Sequence, residues 1–139
     1  MKAIALDMGD KRIGIAVSDS NGLLAVPSRV FRRAGDKLGD LRRLAREIAE
    51  YDAKIVVVGL PLSLSGEIGP KARMVLEEIQ LLRAELPDLT VVTHDERMST
   101  ISASRALFDA GRSSRSLRQV VDASSAAIIL QSWLDANRK

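Results

Sequence analysis

Apolar residues recur with two different periods along this chain, and the switches between them lay out its elements. Ala3 to Leu6 is a short apolar run that ends at a carboxylate, Asp7. A charged, glycine-containing turn, Gly9-Asp10-Lys11-Arg12, separates it from a second run, Ile13 to Val17. Two such runs around a polar turn predict a β-hairpin whose first strand delivers Asp7 to its own C-terminal end. Ser18 to Gly22 is a turn signal. Leu23 to Arg33 then alternates loosely and predicts a third strand, with Pro27 marking an edge or a bulge. From Asp36 the period lengthens: Leu38, Leu41, Leu44, Ile48 and Tyr51 fall at helical spacing, with arginines opposite. Lys54 to Gly59 is a continuous β-branched run of the kind buried on both faces of a sheet. A loop follows from Leu60 to Pro70. A helix from Lys71 to Leu86 carries the stripe Val75, Ile79, Leu82, Leu86 and stops before Pro87. Leu89 to Thr93 is a fifth strand running into His94-Asp95-Glu96-Arg97. Ser99 caps a predicted helix reaching Ala110, and Gly111 stops it. Arg112 to Arg118 reads as a basic, serine-rich loop, and Val120 to Ala136 as the last helix.

The order β-β-β-α-β-α-β-α-α predicts an α/β fold. Strand-helix-strand connections make their strands parallel, and the hairpins place the second and third strands antiparallel at one edge. The expected architecture is one domain over residues 1–139. It is a mixed five-stranded sheet, three antiparallel strands then parallel ones, flanked by about four helices.

Composition narrows the chemistry. The chain has no cysteine, which excludes disulfides and cysteine-based zinc sites. No apolar run approaches the length of a membrane span and no signal-peptide pattern opens the chain, so a cytoplasmic protein without a membrane partner is expected. The net charge is only +3, yet arginines crowd two regions, one from Arg29 to Arg46 and one from Arg105 to Arg118. A guanidinium fork suits phosphate, and a polyanionic partner follows. Aromatic residues make up 3% of the chain, too few for base stacking to dominate binding.

Ligands of open α/β sheets bind beyond the carboxyl ends of the parallel strands. Three expected strands end there: the first at Asp7, the fourth at Gly59-Leu60-Pro61, the fifth at Asp95-Glu96. The last helix adds Asp122, which shares a stripe with Ala126, Ile129 and Trp133 in the helix's first turn. Asp7, Asp122 and one of Glu96 or Asp95 would then converge, with no lysine or histidine evidently placed to neutralise them. Asp19 belongs to the opposite end of the second strand. Oxygen-only donors suit Mg²⁺ or Mn²⁺, and two such ions can activate water and stabilise the leaving oxygen of a phosphodiester. Arg97, beside the acids, is a candidate to hold a phosphate or to pair with Asp95. Lys11 and Arg12 in the hairpin turn, and Arg112, Arg115 and Arg118 in the basic stretch, are further candidates for nucleic-acid contact. Glycines 59, 66 and 69 would allow backbone to approach a phosphate. His94 reads as structural and Trp133 as core.

Four segments, ALDMGDKRIGIAVSD, VVVGLPLSLSGEIGP, THDERMST and VDASSAAIILQSWLD, resemble the YqgF/RuvX family in order and spacing over nearly the whole chain. That resemblance implies a ribonuclease H-like fold. It also implies a nuclease that matures the 5′ end of pre-16S rRNA or, as some members are described, resolves Holliday junctions. A metal-dependent acidic triad would match Asp7, Glu96 and Asp122, and the loop near Arg112 to Arg118 would contact nucleic acid. Met98-Ser99-Thr100 and Ser124-Ser125 depart from the family's usual residues without touching the acids. Two other readings compete. One is a non-catalytic nucleic-acid or ribosome-assembly module with a vestigial acidic site. The other is a lobe of an actin-like ATPase, suggested by Asp7-x-Gly9-x-x-x-x-Gly14. Symmetric cutting of a junction would call for a homodimer.

Overall fold

In a computed structural model, residues 2–98 and 115–137 are described, with side chains throughout except at residues 115–123. Five strands form one sheet: β1 (Ala3–Met8), β2 (Arg12–Ser18), β3 (Ala25–Arg32), β4 (Ile55–Leu60) and β5 (Thr90–Asp95), in the order β3-β2-β1-β4-β5. β1 is antiparallel to β2, and β2 to β3, whereas β1–β4 and β4–β5 are parallel. This is the expected mixed sheet, and it is the arrangement of the ribonuclease H-like fold. Three helices are described with it, α1 (Lys37–Glu50), α2 (Pro70–Glu85) and α3 (Arg115–Ala136), and a 3₁₀ turn, Glu96–Met98, follows β5. The helix expected from Ser99 to Ala110 lies outside the described residues.

The local chemistry accounts for each element. The β1–β2 turn closes by a hydrogen bond from the Gly9 amide to the Arg12 carbonyl, 2.9 Å, and a β-carbon at Gly9 would collide with that carbonyl oxygen. Pro27 sits on the edge strand, where its missing N–H removes no interior ladder bond. The register slips beside it: Ile15 faces Arg29 and Ala16 faces Pro27, leaving Ser28 as the bulge. At the far end of β2, Asp19 accepts hydrogen bonds from the amides of Leu23 and Leu24, which hold its carboxyl below the usual carboxylate range.

Two unlike layers cover the sheet. One face presents Ile4, Leu6, Ile13, Ile15, Val56 and Val58 to α1 and α2, whose Leu41, Leu44, Ile48, Val75, Ile79 and Leu82 complete a bulky core. The other face presents Ala3, Ala5, Ala16 and Val57 to Ala126, Ile129, Leu130 and Leu134 of α3. Small side chains there let α3 lie close to the strands. Successive strand residues point to opposite faces, so Asp7 continues the Ala3-Ala5 row and falls on the α3 side. Trp133 packs at the edge of this layer, as core.

α3 is already helical at Arg115, not first at Val120, which corrects the part of the expected Arg112 to Arg118 loop that is described, Arg115 to Arg118. Arginine, leucine and glutamine at 115–119 are good helix formers, and their propensity outweighs the one serine among them, Ser116. Asp122 therefore stands in the third turn of α3, beyond reach of the helix N-terminal dipole that a first-turn aspartate would offset. No helix among the described residues is long and apolar enough to cross a membrane.

Candidate acidic site

Beyond the carboxyl ends of β1, β4 and β5 lies a cavity of about 180 Å³ lined by Asp7, Met8, Gly9, Gly59, Pro61, Lys71 and Glu96. Asp7 comes from the end of β1 and Glu96 from the first residue after β5. Both are buried, at 4% and 7% exposure. Two carboxylates out of bulk water around one small cavity repel each other unless cations or donors offset them. Such an arrangement suits a hard divalent cation, which prefers carboxylate oxygens.

Gly59 makes room for this site. A β-carbon there would lie 2.6 Å from Ile129 Cδ1 and 3.0 Å from Glu96 Oε1. The expected service of this glycine, letting backbone approach a phosphate, is thus taken by the protein's own glutamate. Gly66 behaves likewise. With φ near +88° it lies beneath the Arg97 guanidinium, 3.2 Å from Nη1 to a built β-carbon. We expect Gly59→Ala to displace the Glu96 carboxylate by a few tenths of an ångström, since the flexible end of Ile129 can yield. The nuclease activity that the resemblance implies should fall roughly 10–100-fold, on the scale of changes that disturb the support of a metal ligand. A melting temperature within a few degrees of the parent's would accompany it, and undiminished activity would show that Glu96 needs no such room.

Asp95 and Glu96 part company here. Asp95 does not line the cavity; both of its oxygens accept hydrogen bonds from Arg97, at 2.7–3.1 Å, and the Arg97 amide adds another at 2.9 Å. Donation by Arg97 holds the Asp95 carboxyl below its ordinary value. Arg97 also donates to the Leu64 carbonyl, 3.3 Å, so it clasps the loop after β4. His94 faces α3: its Nε2 lies 2.8 Å from Ser132 Oγ, and that hydroxyl donates to the Met98 carbonyl at 3.1 Å. The ring is structural, and burial pushes its pKa down.

Lys71 is the residue that sequence reasoning missed; it lines the acid cavity, where no neutralising cation was expected. One signal could have found it. Lysine in the first turn of a helix opposes the dipole, and α2 has no acidic residue in that turn to offset it.

The first arginine-rich region is largely spoken for. Arg33 forms a bidentate pair with Glu78, Arg29 meets Glu47, Arg42 meets Glu85, and Arg43 meets Asp40 while covering the Phe31 ring. Lys11 is exposed in the β1–β2 turn, and Arg12 is half-buried at the start of β2. Arg112 lies outside the described residues. Arg115, Arg118 and Asp122 lie on α3, but their side chains are outside the described set. Residue 122 stands two turns, about 10 Å, before Ile129, whose side chain reaches Gly59. Among the described residues no three His, Cys, Asp or Glu side chains form a metal-holding group.

A family model, RuvX, described as Holliday junction resolvase, matches residues 1–136. A protein of Nocardia farcinica (strain IFM 10152) named "Putative pre-16S rRNA nuclease" is 42% identical over 139 residues, spanning 96% of this chain and 77% of that one. One of the same name from Desulforudis audaxviator (strain MP104C) is 40% identical over 138 residues, with 99% and 96% covered. Among solved structures, RuvC of Thermus thermophilus, in complex with Holliday junction substrate, superposes with a TM-score of 0.60 over 98% of this chain and 94% of that chain. At 14% identity, that likeness concerns the fold.

Proposed function

The chain belongs to the RuvX family, and from that footing we propose that it is a metal-dependent nuclease, hydrolysing phosphodiester bonds in structured nucleic acid. The reading rests on one observation: two buried carboxylates from separate strand ends, Asp7 and Glu96, share a small cavity with Lys71. Residues 1–139 act in it as one domain.

The donor set fits a divalent ion. Asp7, Glu96 and Asp122 would hold Mg²⁺ or Mn²⁺, two ions in the full reading, whereas Asp95 is committed to Arg97. The bound ions would supply an activated water and charge stabilisation for the leaving oxygen. The chain supplies the rest. Glu96 is held in place against Gly59, Arg97 fastens the loop that borders the site, and Lys71 places a positive charge where the anionic phosphate must enter.

Pre-16S rRNA is the substrate we favour, from the names of relatives at about 40% identity, with its 5′ end as the site of cutting that the resemblance implies. Junction resolution is the second reading, favoured by the family's description, and it would require two sites and hence a homodimer. The test is cleavage, with Mn²⁺, Mg²⁺ or EDTA, of an RNA with an extended 5′ leader, a four-way DNA junction and plain duplex DNA. Shortening of the RNA alone, abolished by EDTA, is the expected result. Paired symmetric nicks in the junction alone would replace it with resolution. Binding without cleavage of any substrate would overturn the nuclease.

A further inference from the structure

Next to the acid cavity lies a larger cleft, about 340 Å³, that shares Met8, Gly9 and Lys71 with it. Its charge balance is lopsided. Arg33 and Glu78 line it but neutralise each other at 11% and 4% exposure. Asp40 lines it too, yet its oxygens accept from the amides of Ala34 and Gly35 and from Arg43. What remains is Asp10 against Lys11, Lys37 and Lys71. None of these three lysines forms an ion pair among the described residues.

The lysines come from three separate elements: the β1–β2 turn, the first residue of α1 and the first turn of α2. Lysines on two helix N-terminal turns are opposed by both dipoles, and all three repel one another across a concave surface. Scattered surface lysines would spread apart into water. Gathered around one cleft that opens into the acid site, they favour a bound anion.

We propose that this cleft is a second phosphate subsite, in which Lys11, Lys37 and Lys71 grip a backbone phosphate adjoining the one that is cleaved. The inference rests on the nuclease reading for its substrate. It adds a grip that sets which way the strand runs past Asp7 and Glu96.

The experiment measures binding in EDTA, so that the subsite and the nuclease reading fail separately. The probe is a labelled RNA with a 5′ leader, titrated at several salt concentrations against the parent, Lys11→Gln/Lys37→Gln and Lys54→Gln. Lys54 is exposed at the other end of the sheet, before β4. For a single strand each phosphate neutralised contributes about 0.7 to the slope of log K against log salt, so the double variant, which lets go of one phosphate, should lose about 0.7. Lys54→Gln should keep the parental slope. A walk of single neutral methylphosphonates along the RNA should weaken the parent at one position to which the double variant has become indifferent. A parental slope in the double variant, or equal sensitivity of both proteins at every position, would overturn the subsite. Absence of cleavage would overturn the nuclease and leave this measurement standing.

Discussion

Asp7→Asn should lower metal-dependent cleavage by about three orders of magnitude while the protein still folds and still binds nucleic acid. Asparagine has nearly the same shape as aspartate, so the packing around this 4%-exposed side chain persists. What goes is one negative charge and one strong oxygen donor to a hard cation. A metal site stabilises developing charge by several kcal/mol, and each 1.36 kcal/mol is tenfold in rate, which sets the scale of the loss. Binding in EDTA should be unchanged or tighter, because a negative charge near the phosphate has been removed. A second readout separates a lost ion from a damaged fold. An ion at 100 times its Kd stabilises the parent by about 2.7 kcal/mol, or roughly 8 °C for a chain of this size. That rise in Tm with Mn²⁺ should vanish in Asp7→Asn. A variant that cleaves like the parent, or a parent whose Tm ignores Mn²⁺, would remove Asp7 from the proposed metal site.

The features legible in advance were those that depend on local order. The Gly9 turn between two apolar runs specified a hairpin, and the hairpin's register carried Asp7 to the end of β1. Once β4 was recognised as a buried parallel strand, the end of β5 had to lie beside it, and that brought Glu96 to the same edge.

Features that depend on partners distant in sequence were hidden. Arg33 looked like one more phosphate-seeking arginine until Glu78, 45 residues on, turned out to be its partner. Arg42, pairing with Glu85 across α1 and α2, was hidden for the same reason. Choosing between Asp95 and Glu96 needed the alternation of β5 to be followed through a 3₁₀ turn, which breaks the two-residue period. Lys71 carried a signal, an unfavourable place in a helix, but nothing along the chain says which cavity that helix end borders.

The buried pair of Arg33 and Glu78 has consequences for stability and activity that can be pulled apart. Arg33 donates through both Nη atoms to Glu78 and through Nε to the Gly9 carbonyl at 2.9 Å, so one guanidinium ties α2 to the turn that follows Asp7. Replacing Glu78 by Gln leaves a nearly inaccessible positive charge without its counter-ion, a change worth about 3–5 kcal/mol. At this chain length the expected fall in Tm is about 10–20 °C by thermal denaturation. Removing both charges with similar volume, as in Arg33→Met/Glu78→Leu, should recover most of that loss, because two buried charges cost desolvation that apolar side chains do not. Activity should not recover with it: the Gly9 carbonyl has lost its donor, and the turn beside Asp7 is no longer pinned. A double variant as stable and as active as the parent would mean the pair serves only the fold. A double variant as unstable as Glu78→Gln would mean that losing the Arg33 bond to Gly9 costs as much as stranding the buried charge.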